Sequence, residues 1–187
     1  FRKDRTSSVK SRGGGVLLYI REEFIAQDLT TELERENESL WVKIGTKERE
    51  SVVIGICYRN PSAEKNETES LYRAIHHYSS NHSSCLIMGD FNFSDINWNL
   101  MQSGSIGKEF MDLIHDEFLT QHVDQATRGE NILDLVVTTE PDMVEDLQVL
   151  SPIANSDRCA VMWKLVFKTD VECNKNIEYN YKKGLYK

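Results

Sequence analysis

Apolar positions along the chain follow two periods, and the two alternate. Val16-Leu17-Leu18-Tyr19-Ile20 is a strand-like run after Gly13-Gly14-Gly15. The glycines read as a turn, because a glycine phosphate cradle leads into a helix start and none follows here. Residues 21–38 are acidic and weakly periodic, a surface segment with a short strand or helix. Leu40 to Ile44 and Val52 to Tyr58 are two apolar runs joined by polar residues, the signature of a hairpin with a longer loop. The second run is nearly continuous, as expected of a strand covered on both faces, and Asn60-Pro61 ends it. Leu71, Ile75 and Tyr78 recur at helical spacing and predict a helix over 67–80; Phe110, Leu113, Ile114 and Phe118 predict another over 107–119. Strands are predicted at Cys85–Met88, Ile132–Val137, Val144–Leu150 and Cys159–Phe167. Helices falling between strands point to an α/β layered sandwich, with one helix available for each outer face of a sheet pair.

Composition narrows the function classes. The chain has 187 residues, 40% hydrophobic and 28% charged, which suits a globular chain of one domain with a tail. No apolar run approaches membrane-spanning length. The net charge of −8 argues against a nucleic-acid binder held only by a basic field, although a nuclease is still compatible because metal sites are built from carboxylates. Cys57, Cys85, Cys159 and Cys173 form no C-x-x-C pair, which argues against a zinc site, and three of them sit in apolar surroundings and read as small core residues in a reducing compartment. With no signal-peptide pattern, the N-x-S/T sequons are taken as chance, and the expected location is nucleus or cytoplasm, not secreted. Both ends look cut from something longer.

The chemistry gathers at strand ends. Asp90 follows four apolar strand residues, and Asn92 can point the same way two positions on. Asp134 interrupts an apolar strand, which is costly unless the acid is paired or metal-bound. Asp157 lies just before the last strand. Each alone reads as a turn former or cap. Three acids and an amide together suit metal-assisted phosphoryl chemistry. Trp98 reads either as a loop anchor or as a platform for a DNA base, and Arg2, Lys3, Arg5, Lys10 and Arg12 read either as phosphate contacts or as a solvated stretch.

Several segments carry a resemblance. Leu86-Ile87-Met88-Gly89-Asp90-Phe91-Asn92 resembles the G-D-F-N motif of the endonuclease/exonuclease/phosphatase superfamily. Arg12-Gly13-Gly14-Gly15-Val16 with Tyr19-Ile20, Ile54 to Pro61, Thr127-Arg128 before Ile132-Leu133-Asp134-Leu135-Val136, Ser156-Asp157-Arg158-Cys159-Ala160-Val161, and Tyr179 to Gly184 resemble, in order, segments of non-LTR (LINE-type) retrotransposon endonucleases. The resemblance implies a four-layer α/β/β/α sandwich of the deoxyribonuclease type. It implies a domain over 1–167 and a linker over 168–187 towards a reverse transcriptase. It also implies a Mg²⁺ (or Mn²⁺) dependent hydrolase that nicks DNA to prime reverse transcription, with DNA, the reverse transcriptase and the element RNA as partners and no membrane. By matching position, Asp90 would activate water, Asn92 and Tyr58 would hold the phosphate, and Asp134 would support metal or leaving-group chemistry. Asp90 and Asp157 would serve the metal, and Asp157 would orient the residue after it. Thr127 and Arg128 would contact substrate.

Two departures qualify that reading. Arg158 stands where the motif has His, and a guanidinium cannot accept or exchange a proton near neutral pH. The family's Asn and metal-binding Glu segments do not occur before Gly13, and Glu22, Glu23 and Glu38 lie in the wrong context to replace that Glu, so the domain is expected to lack its N-terminal strands. His76, His77 and His82 are the nearest substitutes for the missing imidazole, though they read as surface residues. The expected protein is an impaired endonuclease. The alternatives are a non-catalytic DNA-binding or interaction remnant of the same fold and a small-molecule phosphatase or phosphodiesterase of the superfamily.

Overall fold

Two of the apolar runs become adjacent inner strands of one sheet, covered by a helix on one face and by further strands on the other. In the computed structural model, which describes residues 1–4, 14–45, 51–154 and 156–166, β4 (Glu38–Gly45) and β5 (Ser51–Tyr58) form an antiparallel hairpin. Before them come β1 (Arg2–Asp4), β2 (Gly15–Leu17) and β3 (Ile25–Asp28); after them α1 (Lys65–Asn81), β6 (Cys85–Asp90), the short pair β7 (Ile96–Asn97) and β8 (Gln102–Ser103), α2 (Lys108–Asp116), β9 (Thr120–Gln121), β10 (Asp134–Thr138), β11 (Val144–Leu150) and β12 (Ala160–Leu165). The main sheet runs β3-β4-β5-β6-β10-β9. Its parallel pair is β5 with β6, and α1 makes the crossover that a parallel pair requires.

Helix α1 forms where Leu71, Ala74, Ile75 and Tyr78 repeat at 3–4 residue spacing, and those residues are its buried stripe. A capping box between Glu64 and Glu67 starts it. The stripe docks on the sheet through Tyr78, whose ring stacks on Trp41 of β4 at 4.1 Å. Such a pair adds about 0.5–1.5 kcal/mol beyond area burial. The Trp41 ring lies over Gly55, where an added Cβ would come within 2.4 Å of it. Helix α2 lies beside α1 on the same face: Phe110 stacks on Tyr72 at 5.9 Å and on Phe91 at 5.0 Å. The fold class is α/β as expected, but the helices share one face of the sheet instead of dividing between two outer faces. The aromatic residues Phe91 and Phe93, just after β6, draw α2 to that side.

The opposite face carries Leu40, Val42, Ile54 and Val136 and is covered by strands. β1 and β2 pair antiparallel and lie against β4 and β5. β11 and β12 form a second ribbon whose inward residues Leu147, Val149, Val161 and Trp163 pack on the core, while Met162 and Lys164 face outward. This alternation marks a ribbon apolar on one side only. Gly13 and the linker expected over 168–187 lie outside the described residues, as do Arg5, Lys10, Arg12 and Cys173. Among the described residues no helix is long and apolar enough to cross a membrane.

Candidate functional site

Strand register lines the polar strand ends into one row. Glu38 pairs with Tyr58, Tyr58 with Asp90, and Asp90 with Asp134. Cross-strand partners share a face, and each member of the row lies three positions from a residue on the helix face: Trp41, Gly55, Ile87 and Val137. The row therefore projects away from the helices. Phe91, next to Asp90, faces the helices and stacks on Phe110, which confirms the alternation. His76 lies on α1 and is bound to Glu117 at 2.5 Å, and His77 and His82 lie on or at the end of the same helix, so no α1 histidine replaces an imidazole at the row.

Gly89 makes the turn of the motif possible. Its φ of +145° is a glycine conformation, and a Cβ there would sit 1.8 Å from the carbonyl oxygen of Cys57. Only a residue without a side chain lets β6 approach β5 this closely just before Asp90. Asn92 has a φ of +53°, which Asn tolerates better than most residues, and its Nδ2 donates to the Arg59 carbonyl at 2.8 Å.

Arg158 closes on this row from the segment leading into β12. Its Nη2 lies 2.5 Å from Asp90 Oδ2, its Nη1 donates to both oxygens of Asp134 at 3.2 and 3.3 Å, and its Nη2 also reaches Asn92 Oδ1 at 3.4 Å. Burial opposes the guanidinium charge, but Asp90 and then Asp134 more than offset it and hold the Arg158 pKa above its ordinary value. Burial raises the Asp90 carboxyl above the ordinary carboxylate range, and Arg158 only partly reverses that. The side chains are 13% exposed at Asp90 and 22% at Asp134, so solvent screening is weak at this contact. Asp90 Oδ1 is buried without a hydrogen-bond partner.

The other expected residues take different places. Asp157 pairs with Arg128 at 2.7 Å on the exposed rim and does not join Asp90. Thr127 is fully buried, and its Oγ1 accepts from the backbone N–H of Leu133 and Asp134, so it holds the start of β10 rather than facing solvent. Tyr58 stands in the row between Glu38 and Asp90. Trp98 is 6% exposed and packs edge-on against Phe110, which makes it a loop anchor and removes it as a stacking platform. Glu38 is the row member that sequence reasoning set aside. It lies two strands from Asp90, roughly 10 Å along the ladder direction, and its Oε2 accepts from the Gly15 N–H at 3.1 Å. Only the strand register reveals its place.

The oxygens of Asp90, Asp134 and Asn92 are the donor type a hard divalent cation takes. Their arrangement does not fit one, because the Arg158 guanidinium already lies on all three. Among the described residues no three His, Cys, Asp or Glu side chains converge to hold a metal. The family generally uses divalent metals, and the described residues show no such site.

A family model described as endonuclease-reverse transcriptase matches residues 52–162, more than half of the chain. No curated protein sequence matches it. Among solved structures it is similar to the endonuclease domain of TRAS1, a telomere-specific non-LTR retrotransposon, with a TM-score of 0.62 and 16% identity over 76% of this chain and 67% of that one. It is also matched to the 3′ phosphatase NExo from Neisseria bound to a product DNA hairpin, with a TM-score of 0.47 and 12% identity over 67% of this chain and 64% of that one.

Proposed function

The chain belongs to the endonuclease-reverse transcriptase family, and from that premise we propose that it is the DNA-directed endonuclease domain of a non-LTR retrotransposon protein in which strand cleavage is impaired. In the parent protein it would act on target DNA, in nucleus or cytoplasm, beside a reverse transcriptase and the element RNA that the nick serves to prime. Mg²⁺ would be the cofactor of an intact relative.

The observation that carries the impairment is the ion pair of Arg158 with Asp90. A carboxylate that activates water must have a free oxygen facing that water. At Asp90, Oδ2 is held by Arg158 and Oδ1 is buried away from solvent. A group that protonates the leaving 3′ oxygen must exchange a proton near neutral pH. Arg158 is fixed as a cation, and the two acids raise its pKa further. Positioned proton transfer contributes about 10²–10⁴-fold to such reactions, and neither half of it is available here. What the row keeps is its strand-end arrangement, with the Arg158 charge taken up by two acids and the Arg128 charge by Asp157.

A supercoiled-plasmid assay in Mg²⁺, with and without chelator, tests the reading. We expect salt-sensitive DNA binding with little nicking. Strong chelator-sensitive nicking would overturn the impairment. Absence of DNA binding at low salt, together with hydrolysis of a phosphorylated inositol, would replace the proposal with a small-molecule phosphatase.

A further inference from the structure

We propose that the Arg158 guanidinium is a built-in substitute for a divalent cation: it neutralises Asp90 and Asp134 from within the chain, closes their oxygens to metal, and leaves a cation site that opens when its side chain is removed. The inference rests on the family reading of the site, but it concerns cation binding without nucleic acid, so the two can fail separately.

Three observations carry it. Asp90 and Asp134 are opposite one another in neighbouring strands, both largely buried. Two like charges in that position repel, and a fold that keeps both ionised must supply a positive charge between them. Arg158 supplies it, and its partners are all oxygens: Asp90 Oδ2, both oxygens of Asp134, and Asn92 Oδ1. That is the donor set a hard divalent ion would take, filled by a planar cation instead.

The third observation is the tether. The Arg158 backbone N–H donates to Ser156 Oγ, and the next residue's N–H donates to the Thr127 carbonyl. Thr127 in turn holds Asp134 through its hydroxyl. One short network thus places the guanidinium and one of its carboxylates together. A tethered charge that never deprotonates competes at high effective concentration, and a free ion in solution must displace it from both acids at once. Asp90 Oδ1 is buried without a hydrogen-bond partner.

The test uses the whole chain without DNA. Mn²⁺ binding is followed by electron paramagnetic resonance and by the shift of thermal unfolding. The wild type is expected to show no Mn²⁺ binding that depends on Asp90 and no upward shift of Tm. Arg158→Ala is expected to unfold at lower temperature in metal-free buffer, to recover Tm on adding Mn²⁺, and to bind Mn²⁺ roughly tenfold or more tightly than the wild type. Adding Asp90→Asn to that variant should abolish the response. Should Arg158→Ala not fold alone, refolding in Mn²⁺ becomes the readout, and recovery is expected. The inference is overturned by wild-type Mn²⁺ binding that Asp90→Asn removes. It is equally overturned by an Arg158→Ala chain that Mn²⁺ neither stabilises nor refolds.

Discussion

Asp90 and Asp134 stand opposite one another across the β6–β10 ladder, and their two negative charges share the single cation of Arg158. This one relationship places a positive charge between two part-buried acids. It couples a strand end in the middle of the sheet to a segment more than sixty residues later.

A double-mutant cycle should measure that coupling. Arg158→Met is expected to destabilise the fold by about 1–3 kcal/mol, since it strands two part-buried acids, and Asp90→Asn by less, since Arg158 keeps Asp134. The double variant should lose less than the sum, with a coupling energy of about 1–3 kcal/mol by urea unfolding. Additive losses would show that the pair is not energetically joined.

The Trp41 indole over Gly55 predicts a packing defect. Gly55→Ala puts a methyl group where the ring lies, 2.4 Å away. The ring cannot move freely because Tyr78 stacks on its other face. A loss of about 1–3 kcal/mol or more is expected, with a change in tryptophan fluorescence. Unchanged stability and spectrum would show that the ring relaxes without cost.

Thr127 should act through its hydroxyl. Thr127→Val keeps the shape but removes the acceptor for the Leu133 and Asp134 N–H groups. It should cost about 1–3 kcal/mol, as buried donors are left unpaired, while Thr127→Ser should recover most of it. A larger loss for Thr127→Ser than for Thr127→Val would locate the role of Thr127 in its methyl group.

Glu117 ties the end of α2 to α1. Burial works to raise its carboxyl, but hydrogen bonds from Ser80, His76 and Ser79 outweigh it and hold the pKa below the ordinary 4.5. A depressed folded-state pKa contributes stability above the unfolded value and loses it as pH falls through the folded one. Wild-type stability should therefore decline below about pH 4.5 more steeply than that of Glu117→Gln. Parallel pH profiles would remove Glu117 from the balance.

Thiol reactivity should separate the cysteines. Cys57 and Cys85 are buried, burial pushing both thiols up, Cys85 to about 12. Cys159 is partly exposed. Under native conditions a thiol reagent should label Cys159 readily and leave Cys57 and Cys85 until unfolding. Fast native labelling of Cys85 would mean that β6 opens far more often than its packing implies.

The sequence by itself determined the long strands and the two helices, but not the short strands β1, β3 and β7–β9 or the exposed place of Phe118 beyond α2. Strands and helices were legible because their periods are local: the run from Val52 to Tyr58 is β5, the stripe of Leu71, Ile75 and Tyr78 is α1, and the acid closing an apolar strand is Asp90 at the end of β6. Even the loss of proton exchange was legible, since it follows from Arg158 being arginine. Only the tertiary structure decided which of these residues meet. The row of Glu38, Tyr58, Asp90 and Asp134 exists through strand register, a pairing between distant segments that no local pattern carries. The same holds for Asp157 turning to Arg128 while its neighbour Arg158 turns inward to two acids, and for Thr127 pointing into the core beneath Asp134. Side-chain partners of charged groups are settled by burial and by which opposite charge the fold brings within reach. Those are properties of the packed chain rather than of its spacing.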